Sequence, residues 1–117
     1  MGQLTTHVLD TAQGKPGDGI AVELYLLHPQ ERLVKSVLTN SNGRTDEPLL
    51  GDEAFAAGPW ELRFHVAEYF TAAGFQQASP PFLDTINIRF AMAENEHYHV
   101  PLLVSPWPRP PGTPRRR

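Results

Sequence analysis

Two of the five histidines, His7 and His99, together with Arg44, are the side chains in this sequence whose types and setting could carry proton transfer and charge stabilisation near neutral pH. Imidazole has the unperturbed pKa closest to neutrality. One neutral histidine can therefore take a proton from water while a second histidine, or an arginine, stabilises the charge that develops on a carbonyl oxygen. A positioned base contributes roughly a hundredfold to ten-thousandfold in rate, so it needs electrostatic help from a group such as Arg44. That division of labour describes hydrolysis without a metal. The plainer readings stand beside it: a lone strand histidine is more often a packing or surface residue, and an arginine after Asn-Gly is usually a solvated turn residue. On spacing alone those win. His97 completes a set of three histidines, but His97-x-His99 offers only two ligands on one face and no carboxylate is fixed nearby by local spacing, so a metal site is the weaker option. His28 and His65 have no partner signature and read as structural.

The elements that must position these side chains are strands. In residues 97–104, Tyr98, Val100, Leu102 and Val104 point to one face, and His97, His99, Pro101 and Leu103 to the other. One face belongs in a core; the other mixes imidazoles with apolar groups, which suits a semi-enclosed surface. Residues 4–10 repeat the pattern, with Leu4, Thr6 and Val8 opposed to Thr5, His7 and Leu9. A turn rich in Gly, Pro and Asp follows through Gly19. A second strand spans Ile20 to Leu27. A third, less regular one spans Arg32 to Thr39, as an edge strand or bulge does. Asn40-Ser41-Asn42-Gly43 is a tight turn that delivers Arg44. A short strand is expected at Leu49-Leu50. Trp60 to Val66 alternates cleanly, Ala67 to Gly74 reads as two turns of helix ended by glycine, and Asp84 to Met92 is a further strand. Six to seven short strands with one short helix indicate an all-β, two-sheet antiparallel β-sandwich.

At 117 residues the chain is most simply one domain with a single core. The formal net charge of −3 gives no reason to expect nucleic acid. No run approaches the roughly 18 apolar residues of a membrane span, and the N-terminus enters a strand pattern with no basic, apolar leader, so a cytoplasmic protein is expected. With no cysteine, disulfides, thiolate metal sites and cysteine nucleophiles are excluded. No Gly-x-Ser-x-Gly, P-loop or dinucleotide fingerprint is present. Charge is uneven along the chain: four of the ten basic residues, Arg109, Arg115, Arg116 and Arg117, fall after Ser105 among closely spaced prolines. The domain is therefore expected over residues 1–106, with residues 107–117 as a proline- and arginine-rich tail.

Three ordered blocks carry a resemblance. They are Leu4-Thr5-Thr6-His7-Val8-Leu9-Asp10-Thr11 with Gly14-Lys15-Pro16, then Gly43-Arg44-Thr45-Asp46, then Tyr98-His99-Val100-Pro101-Leu102-Leu103-Val104-Ser105-Pro106. Together they resemble the signature blocks of the 5-hydroxyisourate hydrolases, the enzymatic branch of the transthyretin-like family. The resemblance implies a transthyretin-type sandwich of two four-stranded sheets, assembled as a homotetramer whose central channel holds the active sites. It implies cofactor-free hydrolysis of 5-hydroxyisourate to 2-oxo-4-hydroxy-4-carboxy-5-ureidoimidazoline in urate degradation, with His7, Arg44 and His99 matching the catalytic positions. Hormone-carrying transthyretins lack these histidines and the arginine. The tail departs from the pattern: family members usually finish with Tyr-Arg-Gly-Ser, and here the chain runs on from Trp107 through Pro108, Pro110, Pro111 and Pro114. Prolines cannot supply a normal ladder strand, so the terminal strand is expected to be lost or replaced by an extended tail. Two alternatives follow: a catalytically weakened transthyretin-like binding or scaffold module, and a tail that recruits an acidic partner.

Overall fold

The structure is a computed structural model and describes residues 2–106. Within them the alternating segments form seven strands: β1 (Gln3–Asp10), β2 (Lys15–Pro16), β3 (Ala21–Leu26), β4 (Arg32–Leu38), β5 (Gly58–His65), β6 (Thr85–Met92) and β7 (His97–Val104). One helix, α1 (Val66–Ala72), links β5 to β6. The strands assemble into two sheets of order β2-β1-β7 and β4-β3-β5-β6. Leu4, Val8 and Val104 from the first meet Val22, Leu24, Leu62, Phe64 and Met92 from the second in one buried cluster. This is the expected sandwich: period-2 alternation gives each sheet one apolar face, and only face-to-face packing removes both from water.

β1 is the central strand of its sheet and the frame for the candidate residues. It pairs antiparallel with β2 through Leu9 and Asp10, and parallel with β7 without a break from Gln3↔His97 to Asp10↔Val104. A parallel pair needs a long crossover, and here nearly the whole sandwich lies between its two strands. The turn predicted from Asp10 to Gly19 contains the two-residue β2: Gly14, at φ 67°, reverses the chain and donates its N–H to the Asp10 carbonyl at 2.9 Å. Past Pro16, Gly17 N–H still donates to the Val8 carbonyl at 2.9 Å, but Val8 N–H turns to the Gly43 carbonyl instead, and the ladder ends. The resemblance implies two four-stranded sheets; the described residues put three strands in one of them, and the predicted tail, 107–117, lies outside the described residues.

Elsewhere the differences are local. The irregular third strand is the edge strand β4, and its pairing with β3 slips between Leu24 and Tyr25. The expected strand at Leu49-Leu50 is reduced to a single bridge, Leu4↔Leu50. Val66, read as the last inward residue of a strand, opens α1 instead and is still buried. Gly74, at φ 93°, ends the helical region and donates to the Thr71 carbonyl at 3.1 Å. α1 closes one end of the sandwich and is tied to β1 by the Tyr69 hydroxyl, which donates to Asp10 Oδ2 at 2.7 Å. On the outer face of the four-stranded sheet, Glu61 is only 5 % exposed because Arg63 and Arg89 cover it, with contacts of 2.7 and 3.2 Å.

Candidate active site

The period-2 rule places His7 and His99 on the same surface. In β1, Leu4, Thr6, Val8 and Asp10 are buried, so Thr5, His7 and Leu9 face outward. In β7, His97, His99, Pro101 and Leu103 face outward likewise. The β1–β7 register sets Thr5 opposite His99 and His7 opposite Pro101. The two histidines are therefore one strand apart and two residues along, about 8 Å between Cα positions. The two rings make no hydrogen bond to each other among the described residues.

Arg44 comes to the other flank of β1 through its turn. Val8 N–H donates to the Gly43 carbonyl at 2.8 Å, so Arg44 leaves the turn beside the residue next to His7. Gly43 is required twice over: its φ is 74°, and a Cβ there would sit 2.3 Å from the Val8 carbonyl oxygen. Asn40 braces the turn, its Oδ1 accepting from Asn42 N–H at 2.9 Å and Arg44 N–H at 3.2 Å, while its own N–H donates to the Arg44 carbonyl at 2.7 Å. The Arg44 guanidinium and the His7 ring have no hydrogen-bond or ion-pair partner among the described residues. His99 differs: its Nδ1 shares a 2.9 Å hydrogen bond with Thr5 Oγ1.

Among the described residues, the predicted semi-enclosed surface is open. Leu9 and Leu103, on the same face as the histidines, are 37 % and 68 % exposed. A cavity of about 530 Å³ lies elsewhere, where α1 meets the segments around β2 and β3, and is lined by Lys15, Asp18, Leu38, His65, Glu68 and Tyr69 among others. None of His7, Arg44 and His99 lines it. The chemistry argues for the sheet face, because His65 in the cavity already pairs with Glu23 at 2.9 Å.

Residues 4–108 match the HIUase/Transthyretin family. The chain belongs to that family. It is 50 % identical over 109 residues to a 5-hydroxyisourate hydrolase of Ralstonia nicotianae, covering 92 % of this chain and 93 % of that protein. Among solved structures, the family fold superposes on the 5-hydroxyisourate hydrolase of Klebsiella pneumoniae with a TM-score of 0.74 at 26 % identity, covering 91 % of this chain and 86 % of that one. It superposes on (S)-allantoin synthase with a TM-score of 0.85 at 44 % identity, covering 92 % of this chain but spanning only 41 % of that protein. Thr5 is a contact that sequence reading passed over: it was placed on the outward face of its strand, but nothing local signals a partner 94 residues away.

Proposed function

We propose that this protein hydrolyses 5-hydroxyisourate to 2-oxo-4-hydroxy-4-carboxy-5-ureidoimidazoline in urate degradation, using His7, His99 and Arg44 and no metal or cofactor. The observation that carries the reading is the register of β1 and β7, which puts both histidines on one surface with Arg44 at the flank of the same strand. The near-50 % identity to a hydrolase of this name supports it.

The product's chemistry fixes the bond that breaks. A new carboxylate and a new ureido group are the two ends of an opened cyclic amide. Water attacks the ring carbonyl, and an imidazole takes the proton that water loses. Negative charge develops on the former carbonyl oxygen, where the Arg44 guanidinium stabilises it more than in the substrate, and only such differential stabilisation accelerates the step. The C–N bond then breaks, and the departing ring nitrogen receives a proton from a histidine. Two imidazoles carried on Cα positions about 8 Å apart can serve the attacking and leaving sides.

A single open sheet face neither excludes water nor surrounds a small polar ring. We therefore take the active form as a homotetramer in which a second copy covers the outward face of β1 and β7, including exposed Leu9 and Leu103. Residues 1–106 form the hydrolase domain and residues 107–117 a tail; the setting is cytoplasmic. Among the described residues no helix is long and apolar enough to cross a membrane. The decisive experiment follows the absorbance decay of freshly generated 5-hydroxyisourate. Folded protein should accelerate it strongly, and no acceleration over buffer ends the hydrolytic reading. Light scattering should give the mass of four chains.

A further inference from the structure

The two candidate histidines are held in different ways, and the difference bears on what each can do. His99 Nδ1 is bonded to Thr5 Oγ1 across the strand pair at 2.9 Å, whereas the His7 ring is unbound among the described residues. The neighbouring threonine shows that such a bond is not forced on this strand: Thr6, on the buried face, donates its hydroxyl to the Val100 carbonyl at 2.7 Å. Thr5 makes no other side-chain hydrogen bond among the described residues. Its position is set by an unbroken ladder from Gln3↔His97 to Asp10↔Val104, and a β-branched side chain has few χ1 choices. The hydroxyl is thus delivered to Nδ1 by backbone register.

We infer that Thr5 is a positioning residue for the hydrolysis: it accepts a hydrogen bond from Nδ1–H of His99, which leaves Nε2 as the unprotonated atom turned toward the substrate. The inference rests on the hydrolytic reading and deepens it. A neutral imidazole carries its proton on one nitrogen and a lone pair on the other, and only the lone pair can take a proton from water. With Nδ1–H engaged by Thr5, the lone pair stays on Nε2. When Nε2 gains a proton, Nδ1 keeps its own, so the same bond serves the neutral ring and the imidazolium. The ring need not flip or exchange tautomers during a turnover. A hydroxyl also differs from a carboxylate in that place. It adds no charge to hold the imidazolium, so the proton accepted from water is readily given up again before the next turnover. By this argument His99 handles the directional proton transfer, and the unheld His7 acts on the opposite side of the substrate.

The test compares Thr5→Val and Thr5→Ser in the full-length protein. Valine keeps the β-branched shape and the strand propensity while removing the hydroxyl, and serine restores the hydroxyl. In protein carrying 15N-labelled histidine, with His99 assigned from a His99→Gln sample, wild type should show neutral His99 protonated on Nδ1 and bare on Nε2. Thr5→Val should show a mixture of tautomers, with kcat reduced about tenfold to a hundredfold, as expected for a misaligned group, and KM within about twofold. Thr5→Ser should recover both the tautomer and most of the rate, and all three proteins should give the same circular dichroism spectrum. A wild-type His99 protonated on Nε2 overturns the inference. So does an active wild type whose kcat and tautomer survive in Thr5→Val. A folded wild type that does not accelerate 5-hydroxyisourate decay overturns the hydrolytic reading instead, whichever tautomer the spectrum shows.

Discussion

Replacing Tyr69 with phenylalanine removes one oxygen atom and tests how the end of β1 is held, three residues beyond His7. Asp10 has 0 % of its surface exposed. Its carboxylate accepts from the Tyr69 hydroxyl at 2.7 Å, from Gln13 Nε2 at 2.6 Å and from Gln13 N–H at 3.0 Å. Burial works to raise the carboxyl pKa, but the bonds from Tyr69 and Gln13 outweigh it and hold the group below its ordinary value. Burial first, and then the hydrogen bond to Asp10, push the Tyr69 hydroxyl up. A hydrogen bond to a charged group contributes about 1.5–3 kcal/mol. In Tyr69→Phe the ring still packs edge-on against Phe70, at 5.0 Å between centroids, and Gln13 still supplies two donors. The loss therefore falls at the lower end, about 1.5–2 kcal/mol at pH 7. For a domain of this size that lowers Tm by roughly 6–10 °C at fixed protein concentration. The pH dependence has a definite sign. With its native pKa depressed, Asp10 contributes fully above the unfolded value near about 3.9, and its contribution fades as pH falls through the lower native value. Wild type and variant should thus converge in acid. Urea unfolding at pH 7, and at steps below pH 4, measures the gap. An unchanged midpoint at pH 7, or a gap that persists undiminished in acid, refutes the reasoning.

Substitution of either histidine by asparagine, His7→Asn or His99→Asn, should lower kcat by about a hundredfold to ten-thousandfold while the protein remains folded; full rate in His99→Asn removes that residue from the mechanism. Arg44→Lys keeps the charge but loses the planar fork, so kcat should fall at least tenfold, read from the same absorbance decay. Gly43→Ala puts a Cβ at φ 74° and against the Val8 carbonyl, so it should destabilise the fold by more than about 1 kcal/mol and lower kcat by displacing Arg44. Glu61→Ala leaves Arg63 and Arg89 without their shared carboxylate. Arg89 is 70 % exposed and can turn to water, so the loss should be about 1–2 kcal/mol by urea unfolding, with no change in kcat. The Arg63 hydrogen bond first, and then Arg89, hold the Glu61 pKa down against the opposing effect of burial, so this difference too should close in acid.

The sequence by itself determined which residues face which way. Alternation in residues 4–10 and 97–104 named the inward sets, and the buried Leu4, Val8 and Val104 agree with it, because a strand's side-chain period is strictly two. Turn chemistry named the Gly43 reversal, since few residues other than glycine accept that backbone at that approach. The three candidate residues were singled out by their chemical types and by family resemblance. Their mutual placement was not legible. Whether β1 lies beside β7, in which direction and in what register, depends on long-range pairing across more than 90 residues, and a slip of one residue would send His99 to the core face. The same holds for Thr5, whose contact with His99 exists only through that register, and for Tyr69, whose hydroxyl reaches Asp10 only after α1 has folded over the end of the sandwich. Local pattern fixes a side chain's face because it is set by backbone geometry one residue at a time. Partners across strands are chosen by the packing of the whole core, and that choice turned two separate histidine strands into one surface.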